Sequence, residues 1–268
     1  MKKRQLFSLL AIVILIVVLG YEFLLEKKEV EQTVEAGSEV KITTNTVYLP
    51  TSTTGQVVHH EYYSLSYSEP NEQAEWVAYE LKAEHLSNTN FERPYFEIDK
   101  AVKTGAAHWR NYKGSGYDRG HLCPAGDRRF SKKAHDETFL TSNISPQDHE
   151  FNSGIWNRLE QKVRYWAKKY NGVYVVTGGI FDDNMTTIGT EKVSVPNRFY
   201  KVMIDYNSGR PKMIAFLLPH KASNQPLYTY VVSVDEIENL TGIDFFPELE
   251  DALENQLEAS TSYKGWSF

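Results

Sequence analysis

The chain predicts an α+β fold, a sheet-containing globule behind an N-terminal membrane-spanning helix. Three observations carry that expectation. With 17 Tyr and 13 Phe in 268 residues, the composition favours a sheet, whose half-buried surface suits aromatic side chains. The stretch from Tyr117 to Asn171 reads as strand, turn, strand and helix. Residues 5–21 are uncharged and dense in Leu, Ile and Val, directly after Lys2, Lys3 and Arg4.

The N-terminal run resumes its apolar character at Phe23 to Leu25, and a bilayer-crossing helix needs roughly 20 such residues. Its basic flank places the N-terminus in the cytoplasm and exports the remainder of the chain. No small-x-small cleavage site follows the run and no cysteine there invites lipidation, so residues 1–25 read as a cytoplasmic stub and uncleaved signal anchor. The implied location is bacterial periplasmic or otherwise extracytoplasmic, with a cleaved, secreted form as the alternative. Residues 26–47, charged and then rich in Thr and Val, read as a stalk, and residues 48–268 as the folded domain.

Within that domain, Val57-Val58 and Tyr62 to Tyr67 suggest a hairpin, while Trp76 to Leu81 fits a strand or a short helix. Phe91 to Lys113 has loop character, broken at Arg93-Pro94 and Gly105. Asp118-Arg119-Gly120-His121 ends a strand, and strand alternation projects Arg119 and His121 together while Asp118 points the other way. Ala125 to Arg129 reads as a turn and Phe139 to Pro146 as a second strand. Trp156, Leu159, Val163 and Trp166 then fall on one helical face, Glu160 and Arg164 stand four apart, positioned to pair, and Asn171-Gly172 is a normal helix stop. By itself Asn152 reads as an N-cap, although an amide oxygen is also a hard, neutral metal ligand. Ser233 and Glu236 make a capping box for a late helix.

The net charge of -6 conceals an asymmetry. From Arg93 to Lys133 there are ten basic residues against four acidic ones, whereas Ala222 to Tyr263 holds nine acids and no Lys or Arg. A polyanion-facing surface would therefore be local and centred on the Asp-Arg-Gly-His stretch. Cys123 is the sole cysteine, which excludes an intrachain disulfide or a multi-cysteine metal site and leaves a small buried thiol. His59-His60 lacks spaced partners for a metal. His135, His149 and His220 read as surface or supporting residues, and no Gly-x-Ser-x-Gly elbow supports a serine hydrolase.

The ordered set Asp118-Arg119-Gly120-His121, Leu140 to Gln147, Asn152 to Glu160, Val173 to Gly178, Val195-Pro196 with Phe199 to Val202, and Val234 to Ile237 with Leu240 to Gly242 resembles the DNA/RNA non-specific endonucleases. These are the sugar-non-specific branch of the ββα-metal (His-Me finger) nucleases. The resemblance implies a central, mostly antiparallel sheet flanked by helices. It implies His121 as general base, Asn152 as the direct magnesium ligand, with manganese as a substitute, and Glu160 as an outer holder of metal-bound water. Arg119 and Arg164 would contact phosphate, as would Arg93 in its Arg-Pro-Tyr setting; Asn143 would support the site or touch substrate. Gly179 stands where relatives commonly have Pro. DNA and RNA are the implied substrates, products would carry 5′-phosphates, and a homodimer is a further expectation. A non-catalytic, cell-surface nucleic-acid-binding module is the competing reading, and a phosphodiesterase for small nucleotides a third.

Overall fold

A helix laid across an antiparallel sheet organises the chain. The computed structural model describes residues 49–207 and 209–268, all within one compact unit, Val47–Phe268. The predicted anchor and stalk lie outside these residues, and no helix among the described residues is long and apolar enough to cross a membrane. In chain order the elements are β1 (Val57–His59), β2 (Ser64–Ser68), β3 (Gln73–Leu81), β4 (Asp118–His121), α1 (Lys132–Glu137) and β5 (Ile144–Gln147). Next come α2 (Asn157–Lys169), β6 (Val173–Gly179), β7 (Thr186–Ile188), β8 (Val193–Val195), β9 (Arg198–Asp205), β10 (Lys212–Pro219), β11 (Val231–Val232), α3 (Val234–Thr241) and α4 (Asp251–Glu258).

Seven strands pair in the order β1-β2-β3-β6-β9-β10-β11, each neighbour antiparallel. The predicted hairpin is β1 and β2. Trp76 to Leu81, ambiguous in sequence, is strand, and β3 is buried along nearly its whole length. A strand covered on both faces loses the alternation that would mark it. On one face, Val77, Tyr79, Val175, Met203 and Phe216 share a core with Trp156, Leu159, Val163 and Trp166, the helical stripe predicted from spacing. On the other, the Tyr200 ring meets Phe245 edge-on at 5.4 Å, in the segment after α3. Each large apolar side chain removed from water in this way contributes about 1.5–3 kcal/mol.

Several boundaries differ from the sequence expectation. The second strand is β5 alone, and Thr141–Asn143 form a tight turn before it. The reason lies in Asn143, whose amide bonds both backbone groups of Cys123 and so replaces a ladder rung. Residues 132–137 form a helix that no sequence pattern predicts, capped by the Ser131 hydroxyl. The predicted helix from Asn152 begins as a kinked stretch, Phe151–Trp156, broken by non-helical backbone at Gly154 (φ -95°, ψ -106°), and becomes regular only in α2. It ends as expected: Asn171 and Gly172 take positive φ, and the Gly172 N–H donates to the Ala167 carbonyl at 2.8 Å. Ser233 caps α3 by accepting from the Glu236 N–H at 3.1 Å.

β4 and β5 pair as their own antiparallel ribbon, Gly120 opposite Ser145 and Asp118 opposite Gln147. A Cβ on Gly120 would run into the Gln147 side chain, so glycine is demanded here by close approach. Gly120→Ala should destabilise the protein by about 1–3 kcal/mol in urea denaturation, and adding Gln147→Ala should recover part of that loss; an additive double variant would show that the two do not collide.

Candidate active site

The ribbon β4–β5 and the kinked stretch before α2 bring two distant parts of the chain together. His121, Asn152, Asn157, Glu160 and Arg164, with Pro124, Ala125, Gly126 and Arg129, line an open, polar cavity of about 240 Å³. Of the seven residues singled out from sequence, four meet here: His121, Asn152, Glu160 and Arg164.

His121 sits at the end of β4, its ring edge-on to Phe139 at 4.9 Å and tilted against Phe96 at 5.7 Å. Its Nε2 is buried and finds no hydrogen-bond partner among the described residues. Burial, and then the charges of Arg93 and His135, lower its pKa to about 3, against a weaker upward pull from the Arg119 backbone. The imidazole is therefore neutral at physiological pH, the form that accepts a proton.

Asn152 is placed by Asp148, whose carboxylate accepts from the Phe151 N–H at 2.9 Å and whose carbonyl accepts from the Asn152 N–H at 2.8 Å. Asp148 is held in turn by His220, whose Nε2 accepts from its N–H at 2.6 Å while Nδ1 donates to the Pro196 carbonyl at 2.7 Å. The decisive contact is Asn152 Nδ2 donating to Asp118 Oδ2 at 3.0 Å. A carboxylate only accepts, so it fixes which way the amide faces and leaves the carbonyl oxygen of Asn152 as the atom free to take a ligand. Asp118 also binds His149 Nδ1 at 2.9 Å and raises the pKa of that exposed histidine. Strand alternation assigned Asp118 to the face away from the chemistry; the structure instead makes it the partner that orients Asn152. Their separation of 34 positions hides that relation from any local pattern.

Glu160 lies on the first turns of α2 with 15% of its side chain exposed, and Arg164 Nη1 stands 3.9 Å from it, the pairing expected at i,i+4. Burial raises its pKa to about 7, against the pull of Lys201. Lys201, fully buried on β9, lies with Nζ 4.7 Å from the Trp156 ring centroid, and burial depresses its own pKa. The sequence offered no sign that a lysine in an apolar strand would face this carboxylate from below.

The arginines divide. Arg164 donates to Asp127 at 2.8 Å, a carboxylate only 1% exposed. It reaches the cavity, but an ion pair occupies one edge of its guanidinium, so it is not the free phosphate contact expected. Arg119 does not line the cavity; it lies among Phe96, Trp109 and Tyr112 with its Cζ 5.3, 6.0 and 5.9 Å from their ring centroids and donates to the Trp109 carbonyl at 3.4 Å. Arg93 is exposed, over Phe139 at 5.5 Å. Arg128, counted in the basic patch, is instead buried and donates to the carbonyls of Tyr62 and Glu80 at 2.9 and 3.1 Å. Arg129, not singled out from sequence, faces the cavity. Asn143 is not available to substrate: fully buried, it spends its amide on Cys123 and the Thr138 carbonyl. Cys123 is buried as expected, and its thiol pKa is pushed up to about 12 by burial.

The donor set suits a hard divalent cation. One neutral amide oxygen held in a fixed direction and one carboxylate behind it face a polar cavity, where a hard cation could keep most of its waters.

Residues 41–252 match the family model described as DNA/RNA non-specific endonuclease. The chain is 37% identical over 208 residues to the mitochondrial nuclease EXOG of Danio rerio, covering 69% of this chain and 59% of that protein. It is 32% identical over 209 residues to the mitochondrial endonuclease G of Homo sapiens, covering 72% and 70%. It thus spans less than two thirds of the length of its EXOG relatives. A solved EndoG/EndoGI complex contains a chain with TM-score 0.67 and 32% identity, covering 72% of this chain and 86% of that one.

The buried state of His121 has a thermodynamic signature. An unfolded histidine titrates near 6.5 and the folded one near 3, so between those values the unfolded state alone binds the proton. That part of stability is whole above pH 6.5 and is lost as pH falls toward 3. His121→Gln should flatten the decline in unfolding free energy between pH 6.5 and 5 by about 2 kcal/mol, read from urea denaturation at stepped pH; an unchanged slope would mean that the ring titrates as if solvated.

Proposed function

The chain belongs to the DNA/RNA non-specific endonuclease family, and from that premise we propose that it is a magnesium-dependent, sugar-non-specific endonuclease hydrolysing phosphodiester bonds of DNA and RNA. The observation that carries the reading is the Asp118–Asn152 contact, which commits an amide oxygen to the cavity that also holds a neutral imidazole. Asn152 would hold the ion directly and Glu160 would hold water of its shell. When bound, the ion supplies positive charge against the phosphate and the departing oxygen.

The chain's own residues do the rest. His121 takes the proton from the attacking water on a ring nitrogen, for which a neutral histidine is suited. As that oxygen bonds to phosphorus, the P–O3′ bond breaks and the 3′-oxygen takes a proton from solvent water in the open cavity, giving a 3′-hydroxyl and a 5′-phosphate. Phe96 and Phe139 fix the imidazole plane. Arg93 and Arg129, the more exposed guanidiniums near the cavity, bind the phosphodiester backbone, while Arg164 holds Glu160 and Asp127 in place. Arg119 stabilises the strand that carries His121 and adds positive field. Attack by an external water makes no use of a ribose 2′-hydroxyl, and contacts to phosphate read no base. Both DNA and RNA therefore fit.

Plasmid and RNA cleavage by the full chain should require magnesium and weaken steeply with salt. His121→Ala should lower the rate by about 10²–10⁴-fold, and Asp118→Asn by about 10–100-fold, as for loss of a partner that orients a metal ligand. Binding of DNA without magnesium-dependent cutting would sink the enzyme reading in favour of a binding module, and preference for a dinucleotide over long DNA would sink the choice of substrate.

A further inference from the structure

A second group of carboxylates stands on elements that contribute nothing to the His121 cavity. Asp235 and Glu238 lie on α3, Asp244 follows the turn at Gly242, and Glu254 and Glu258 lie on α4. One oxygen each from Asp235, Glu238 and Glu258 come within 4.8 Å of one another, as do oxygens from Asp244, Glu254 and Glu258. Glu258 belongs to both triads. All five line one open cavity of about 570 Å³.

Acidic surfaces are common and by themselves bind nothing in particular. What sets this one apart is Glu258, only 6% exposed, whose Oε1 is buried without a hydrogen-bond partner among the described residues; a buried Oε1 of Glu254 shares that condition. An unpaired buried carboxylate oxygen is costly, and the segment that carries it, residues 222–263, contains no Lys or Arg. The groups facing Glu258 are Glu238, Glu254, Asp244 and Asp235, and burial together with these carboxylates pushes its pKa up to about 8. Among the described residues, the Glu238 carboxylate accepts from the Phe245 N–H at 3.0 Å.

We propose that these five carboxylates form a cation site that takes calcium, with Glu258 as the ligand shared by both triads. Oxygens on opposite sides of a calcium ion, each about 2.3–2.6 Å away, lie roughly 4.6–5.2 Å apart, and calcium accepts six to eight such ligands in flexible geometry. Magnesium, with its shorter and stricter octahedron, fits less well. The ion would clamp α4 to α3. Glu254 and Glu258 lie beyond the residues that the family model matches.

The test is thermal unfolding of the full chain, stripped with a chelator, in calcium chloride or magnesium chloride. Saturating calcium should raise Tm by about 5 °C or more, with a smaller rise in magnesium. Glu258→Gln and, separately, the exposed Asp244→Asn should abolish or sharply reduce the calcium shift, and Asn152→Ala should keep it. A wild-type Tm indifferent to calcium, a shift that survives both carboxylate variants, or equal shifts in the two salts would each overturn the proposal. So would a Glu258→Gln protein whose Tm already exceeds that of the calcium-loaded wild type, since that would mean Glu258 is held protonated.

Discussion

A single acceptor oxygen governs the candidate site. Asp118 Oδ2 receives the Asn152 amide from one side and the His149 ring from the other, and through it the β4–β5 ribbon and the start of the long helix are locked in one relative position. Without it the Asn152 amide could flip end for end at little cost, presenting hydrogens where a cation needs an oxygen. The backbone cooperates: the helical stretch before α2 is kinked at Gly154, whose φ and ψ are non-helical, so Asn152 stands on a turn set at an angle to the regular helix. Asp148, pinned by His220, sets where that stretch begins.

Beneath the cavity lies a group of buried charges that would be unstable singly. Asp127, Arg164, Glu160 and Lys201 alternate in sign, and each carries a desolvation cost that its neighbours offset in part. The arrangement explains why Arg164 serves the protein more than a ligand and why a fully buried lysine is tolerated on β9. It also holds Glu160 at the cavity floor by forces that do not depend on a metal. The α3–α4 carboxylates show the opposite condition, with like charges crowded together and no basic side chain among them, and that contrast is the physical basis for assigning them an external cation.

Much of the fold was legible where a local rule acts alone. Trp156, Leu159, Val163 and Trp166 announced their shared face through spacing, Asn171-Gly172 announced the helix end, and the sole cysteine announced a packing role. Legibility failed where tertiary context overrides local rules. β3 is covered on both faces, so it shows no alternation; Asn143 imitates a backbone rung, so the second strand is shorter than its sequence; and Ser131 caps a helix within a run dominated by charge.

The sequence by itself pointed to His121, Asn152, Glu160 and Arg164, which meet at the site, because the motifs that hold them follow the family's order along the chain. It also determined the family, which those motifs carry together. Only the tertiary structure decided what each polar group does. Asp118 and Asn143 exchanged the expected ranks of bystander and candidate contact, Arg128 and Arg164 were drawn into internal bonds, and Lys201 appeared beneath Glu160. The physical reason is that a side chain's availability depends on which partners reach it first, and those partners lie 34 residues away for Asp118, 37 for Arg164 and up to 66 for Arg128, far beyond the range over which strand or helix periodicity speaks.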